Sequence, residues 1–341
     1  MAGNKARVLV FGTGGVGTMA AYALEIGGKA RVTAVLRSNY AAVQKNGMTI
    51  DSIEHGHDIK GWRPSESKFT VSLEPFDFVL VTTKNLPEVS PTAGELIEPA
   101  VTPGTTAIVL SQNGLNIEKP FVSRFPRNPI ISSISTIGAT EKPHGVVLHN
   151  DTDEQKIGPF HNPGVAPEVA EAAARRYVEI YNACGKLSIV YEHDVLKTRW
   201  RKLIYNASFN SVATLLRMDT TRMRMAQHVI DDLIKPIMRE IIAAGNAAGA
   251  DLDPGLANTI VFSDPEEAFF SPSMLQDMEK GNLMEIEVIV GEPLREGEAR
   301  GVPMPTLKVI YGLLRGLQVR IKEQRGLWEP KFEPGNPYKR R

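Results

Sequence analysis

The sequence predicts a doubly wound α/β domain followed by an all-helical one, and two observations carry the prediction. Over the first half of the chain, short β-branched runs alternate with helix-compatible segments, the pattern of a parallel sheet covered by helices on both faces. From about Asp194 the apolar period becomes helical and stays so nearly to residue 325. The expected division is an α/β domain over 1–192, a helical domain over 193–327 and a loose tail over 328–341, rich in proline and charge.

Each element follows from its own stretch. RVLVFG (7–12) is strand-like, and TMAAYALEIGG (18–28) is an alanine-rich helix ended by glycines. RVTAVLR (31–37) is a second strand. FDFVLVTTK (76–84), nearly continuous in apolar character, is a buried one. TTAIVLSQNG (105–114) and PIISSISTIGA (129–139) follow. GVVLHN and EQKIGPF, within 145–160, are expected to pair with each other as antiparallel strands. His55 and His57 flank Gly56 and are expected as solvated residues of a hairpin turn. PEVAEAAARRYVEIYNACG, from Pro167, is an amphipathic helix, and LSIVY is a last strand. Four segments then carry the clearest helical period: DVLKTRWRKLIYNASFNSVATLL, HVIDDLIKPIMREIIAAGNAAG, SPSMLQDMEKG and PTLKVIYGLLRGLQVRIKEQ.

Composition excludes several classes of partner. Its 39 basic and 39 acidic residues cancel, which removes the electrostatic argument for nucleic acid or an anionic membrane surface. No apolar run approaches the ~20 residues of a membrane span, and the first such run feeds a glycine turn instead of forming a signal segment. The single cysteine, Cys184, cannot form an intrachain disulfide and fits a reducing, cytoplasmic compartment; it is expected as a small buried hydrophobe. The seven histidines are scattered, so no metal site is expected.

The stretch GTGGVG (12–17) sits between the first strand and the first helix. Gly12, Gly14 and Gly17 fit the G-x-G-x-x-G pattern of a Rossmann-type dinucleotide site, with Thr13, Gly15 and Val16 completing the turn. Gly12 permits the tight turn, Gly14 leaves the backbone open to a pyrophosphate, and Gly17 lets helix and strand approach. Unpaired N–H groups at the helix start face the phosphates. Taken alone, the stretch also reads as a tight turn without a ligand. An acid usually ends the second strand of an NAD-binding chain; here Arg37 stands there. A guanidinium suits a 2′-phosphate by charge and by its planar fork of donors, which points to NADP(H). A surface arginine with no such role is the other reading.

Lys202, Asn206 and Asn210 recur at i, i+4 and i+8 among Leu203, Ile204, Ala207 and Val212. Asparagine is a poor helix-interior residue, because its amide competes for backbone bonds. Two of them behind one lysine predict a polar groove that meets a ligand, against the alternative of a solvated face.

Taken in order, GTGGVG (12–17), VTTK ending at Lys84, SQNG (111–114), ISTIGATEKPHGVVLH (134–149), WRKLIYNASFN (200–210), SPSMLQDMEKGNLMEIEVIVG (271–291) and GVPMPTL (301–307) are all present. With these motifs the chain resembles the ketopantoate reductase (2-dehydropantoate 2-reductase) family over nearly its whole length. The resemblance implies an NADPH-dependent reductase of 2-dehydropantoate, serving pantothenate and coenzyme A synthesis, with Lys202 as general acid. A nearby ammonium stabilises the charge that develops on a carbonyl oxygen as hydride arrives, then supplies the proton. The resemblance further implies that Asn113 lies between cofactor and substrate, with Lys84 near both and Ala139 beside the cofactor. Asn206, Asn210 and Ser273 would bind the substrate's hydroxyl and carboxylate oxygens. Glu285 would sit near the nicotinamide end and orient Lys202. Read without the resemblance, Ser273 is a helix N-terminal residue and Glu285 one more helical acid.

The chain departs from the family pattern at four places. Asn85-Leu86-Pro87 follows the lysine where Lys-x-x-Gln is frequent, and Asp219–Thr220 falls where a further substrate-facing asparagine is common. Met284–Glu285 replaces Thr-Glu, and Val290–Gly291 replaces Asn-Gly. Two alternatives stay open: a reductase of another small 2-oxo acid, and a non-catalytic NADPH-binding sensor. Oligomeric state is left open, a homodimer included.

Overall fold

A computed structural model describes residues 5–66 and 74–340. It divides into two units, one ending at Arg199 and one beginning at Trp200. In the first unit the strands are β1 (Ala6–Phe11), β2 (Ala30–Val35), β3 (Met48–Ser52), β4 (Gly56–Trp62), β5 (Phe78–Val81) and β6 (Ala107–Leu110). They continue with β7 (Ile130–Ser135), β8 (Gly138–Glu141), β9 (Val146–Asp151), β10 (Glu154–Phe160) and β11 (Ser188–Tyr191). Seven of them form one sheet in the order β11-β10-β7-β6-β5-β1-β2. From β7 to β2 all neighbours are parallel; β10 runs antiparallel to β7, and β11 parallel to β10. Val8, Val10, Val32, Val79, Val81 and Val109 are fully buried, as a parallel sheet covered on both faces requires.

The first helix, α1 (Gly15–Ile26), begins three residues earlier than its alanine-rich stretch indicates, because the glycines form its first turn. It packs on β2 and also on β8 and β9 of a second, four-stranded sheet, β4-β3-β9-β8.

That second sheet corrects two expectations. GVVLHN and EQKIGPF do become β9 and β10, but they do not pair with each other: β9 lies between β3 and β8, and β10 joins the seven-stranded sheet. Asp153 anchors the crossing. Its carboxylate, 1 % exposed, accepts from Tyr181 Oη at 2.8 Å and from Gln155 Nε2 at 2.7 Å. His57 is solvated on the β3–β4 hairpin, but His55 is buried, edge-on to Tyr22 at 5.2 Å between ring centroids. Cys184 is only partly buried, against the core beneath α1.

The second unit is helical throughout its described elements. Val195–Tyr205 runs into a π turn at Asn206–Asn210 and on into Ser211–Leu216. Two more π turns, Ile230–Ile234 and Glu287–Gly291, lead into the helices Lys235–Ala247 and Glu292–Ala299. Each of these helices carries proline in its first turn, Pro236 and Pro293. Proline lacks the N–H and crowds the carbonyl four residues back, so the preceding turn widens to i→i+5 bonding. Ser273–Glu279 packs on Asn206–Leu216, and the long Pro305–Gln324 helix closes the unit.

Candidate active site

The glycines of the first turn divide into two groups by what a Cβ would meet. At Gly12, φ is +106°, a region closed to ordinary side chains, and a Cβ would stand 2.7 Å from Thr83. At Gly17 it would stand 2.1 Å from Gly12 O, and at Gly15 2.3 Å from Ala139 O. These three are glycine because the protein's own backbone fills the space. Gly14 is different: nothing lies within 4 Å of where its Cβ would be. It caps α1 without any side-chain hydrogen bond, and no acid occupies the first turn. The N–H groups of Gly15, Val16 and Gly17 belong to that first turn, where helical geometry provides no partner. An open approach, a bare helix start and no opposing charge fit a dinucleotide's pyrophosphate.

The surrounding loops all leave the carboxyl ends of parallel strands. The order β5-β1-β2 places this turn where the winding reverses, the position at which open α/β sheets bind ligands. Thr13 fixes the turn to β2 through its hydroxyl, which donates to Val35 O at 2.6 Å. Arg37 stands two residues past β2, exposed, and among the described residues its guanidinium forms no ion pair. Thr82 Oγ1 donates to Gly12 O at 2.5 Å, which ties the glycine turn to the β5 loop that carries Lys84, an exposed residue.

The β6 loop, SQNG, carries Asn113, which is half-buried. Gln112 Nε2 donates to Thr83 O at 2.7 Å, linking this loop to that of β5. Arg199 holds it from another direction. Its Nη1 donates to Gln112 O at 3.1 Å and Gly114 O at 2.9 Å, the carbonyls on either side of Asn113. Arg199 Nε lies 2.9 Å from Glu118 Oε1, both side chains being buried. Ser132 Oγ donates to the same carboxylate oxygen at 2.6 Å. Nothing in the sequence pattern gave Arg199 a role, because the groups its guanidinium meets at Ser132 and Gln112 lie 67 and 87 positions away along the chain.

In the helical unit, the three residues of the stripe do not share one uniform face. The π turn adds a residue between Asn206 and Asn210 and breaks the i, i+4, i+8 register expected for an α-helix. Lys202 and Asn206 stay half-buried, while Asn210 is 3 % exposed. Hydroxyls compensate the disturbed backbone: Ser208 Oγ donates to Ile204 O, Ser211 Oγ to Ala207 O and Thr214 Oγ1 to Asn210 O, at 2.5, 2.5 and 2.7 Å. Among the described residues, Asn210 Oδ1 is buried with no hydrogen-bond partner. Such an acceptor costs about 1–3 kcal/mol, a cost that a ligand's donor would remove. A π turn inside a helix is itself frequent at functional sites.

Ser273 is exposed at the first position of its helix. Glu285 is 4 % exposed, in the irregular segment ahead of the third π turn, so it is not a mid-helix acid. Its neighbour Met284 is held by Gln318, whose amide accepts from Met284 N at 3.1 Å and donates to Met284 O at 3.0 Å. Asp219 has a structural use: it caps Thr220–Met225, accepting from Arg222 N at 2.8 Å and pairing with the Arg222 side chain.

Among the described residues, no group of three or more histidines, cysteines or carboxylates could hold a metal ion, and no helix is long and apolar enough to cross a membrane. The parallel sheet, the reversal at a glycine turn and the bare helix start define a Rossmann-type dinucleotide-binding protein with a helical second unit. The chain belongs to the ketopantoate reductase family. The profile "Ketopantoate reductase PanE/ApbA" matches residues 8–162, and "Ketopantoate reductase PanE/ApbA C terminal" matches residues 194–318.

An uncharacterized Saccharomyces cerevisiae protein, YDL144C, is 33% identical over 94% of this chain and 96% of its own length. The crystal structure of 2-dehydropantoate 2-reductase from Methylococcus capsulatus is 29% identical, with a TM-score of 0.79 over 92% of this chain and 97% of that one. D-mandelate dehydrogenase, solved with NADH and anilino(oxo)acetate, shares the fold at 18% identity, with a TM-score of 0.78 over 93% of this chain and 99% of that one. The chain is thus a nicotinamide-dependent oxidoreductase of the ketopantoate reductase kind.

Proposed function

We propose that this protein is an NADP(H)-dependent reductase of a small 2-oxo acid, with 2-dehydropantoate its leading substrate and pantothenate and coenzyme A synthesis its setting. The observation that carries the reading is the buried, partnerless Oδ1 of Asn210 on a helix that also bears Lys202 and Asn206. An acceptor kept unsatisfied in this way suits a substrate that brings a hydroxyl, and a lysine on the same helix suits one whose oxygen must gain a proton.

Gly12, Thr13, Gly14, Gly15, Val16 and Gly17 would hold the pyrophosphate and Arg37 the 2′-phosphate. Lys84, Asn113, Ala139 and Glu285 would border the cofactor. The cofactor supplies hydride when bound. Lys202 stabilises the negative charge developing on the carbonyl oxygen through its ammonium and then donates the proton to it. Glu285, buried beside the backbone that Gln318 clamps, would keep that lysine oriented. Asn113, Asn206, Asn210 and Ser273 bind the substrate's oxygens and fix the reacting face. Following NADPH oxidation against a panel of 2-oxo acids tests the reading; tight NADPH binding with no turnover of any of them would favour a sensor instead.

One observation favours a second reading, another 2-oxo acid on the same scaffold. Asp219, at the place of a common substrate-facing asparagine, is engaged as a helix cap with Arg222. In the same panel, a substrate turned over faster than 2-dehydropantoate would establish this alternative.

A further inference from the structure

Arg37 can discriminate between NADPH and NADH only if it stands at a fixed distance from the glycine turn, yet its own side chain is exposed and unpaired among the described residues. What holds it is two residues further on. Asn39 is 4 % exposed, and its amide is used at both ends. Its Nδ2 donates to Thr13 O at 2.7 Å and to Glu141 Oε1 at 2.9 Å, and its Oδ1 accepts from Arg37 N at 3.3 Å. Glu141, at the end of β8, is anchored in turn by Gly145 N, which donates to the same oxygen at 2.8 Å. The segment after β2 is therefore pinned at Val35 O by the Thr13 hydroxyl and at Asn39 by the Thr13 carbonyl, with Arg37 midway.

We infer that Asn39 is the positioning residue for cofactor choice: its buried amide sets Arg37 against the glycine turn, so that the guanidinium meets a 2′-phosphate. The inference rests on the NADP(H) reading above. Only a carboxamide serves here. Two donors must point at a carbonyl and a carboxylate while one acceptor faces an N–H. Aspartate would oppose Glu141 and Thr13 O with like polarity and bring negative charge towards the phosphate. Serine is too short to reach both acceptors. Because Thr13 belongs to the turn that both cofactors share, the readout that separates positioning from mere support of the turn is the ratio of the two affinities.

The test is fluorescence titration of the full-length protein with NADPH and with NADH, for wild type, Arg37→Ala, Asn39→Ala and Asn39→Ser, with urea unfolding to verify that each is folded. Asn39→Ser serves where Asn39→Ala fails to fold. Arg37→Ala should bring the ratio Kd(NADH)/Kd(NADPH) close to one. The Asn39 variants should lower it by roughly three- to tenfold, the worth of one net hydrogen bond. A ratio that collapses in Arg37→Ala but is unchanged in the Asn39 variants would overturn the inference and leave the NADP(H) reading standing. Equal weakening of both cofactors in the Asn39 variants would also overturn it, leaving Asn39 as a support of the turn alone. A ratio unmoved by Arg37→Ala removes the NADP(H) reading, and the inference with it.

Discussion

Arg199 and Glu118 form a buried ion pair, Nε to Oε1 at 2.9 Å, and the same guanidinium bonds the carbonyls on both sides of Asn113. Removing one member strands the other's charge, since both side chains are buried. Arg199→Met should lower the unfolding free energy by roughly 3–5 kcal/mol, as breaking buried pairs does. The double variant Arg199→Met with Glu118→Leu should recover much of that loss, because no uncompensated charge remains. Urea unfolding of both variants checks it, and a double variant no more stable than the single one would contradict the argument.

The glycine turn should separate folding from binding. Gly14→Ala places its methyl in open space at a φ of −80°, so the unfolding free energy should change by less than about 1 kcal/mol while NADPH binding weakens. Gly17→Ala puts a Cβ 2.1 Å from Gly12 O and should cost about 1–3 kcal/mol in stability. Parallel unfolding curves and NADPH titrations distinguish the two.

Lys202→Ala should lower kcat by at least ~10²-fold, the lower end for general acid catalysis, with NADPH affinity nearly unchanged. Lys202→Arg should not restore the rate, since a guanidinium keeps its charge but is too weak an acid to release the proton. Steady-state kinetics with the best 2-oxo acid measure both. Full activity in Lys202→Ala would shift attention to Lys84.

Asn210→Leu replaces a buried, partnerless acceptor by an apolar side chain of similar size. Stability should be unchanged or rise by about 1 kcal/mol, while KM for the 2-oxo acid rises with little change in kcat. A drop in stability with KM unaltered would show that the amide serves the fold.

Acid should weaken the first unit through His55. Burial, then the charges of His149 and Lys186, lower its pKa from 6.5 to about 4. Its contribution is therefore present above pH 6.5 and is lost as pH falls towards 4, where the folded state must take up a proton it resists. Asp153 acts in the opposite sense, because burial raises its carboxyl pKa and so offsets part of the loss. His55→Phe should flatten the fall in melting temperature between pH 6.5 and 4, and a slope as steep as that of wild type would place the acid sensitivity elsewhere.

The sequence by itself determined what depends on neighbours along the chain. The glycine spacing, the β-branched runs and the helical period after Asp194 are local patterns, and each became a turn, strand or helix near its expected place. The family motifs, read in order, determined the reaction class as well. What only the tertiary structure decided involves groups far apart in sequence, or geometry that a regular period conceals. Where the chain passes from β9 to β10, Asp153 is buried and bonded to Tyr181, 28 positions away. The π turn at Asn206 leaves composition unchanged but alters which asparagine is enclosed. Asn39 is one more polar residue in a turn until Thr13 and Glu141, 26 and 102 positions away, meet its amide. Hydrogen bonds require donor and acceptor within about 3 Å, and the folded chain alone sets that distance.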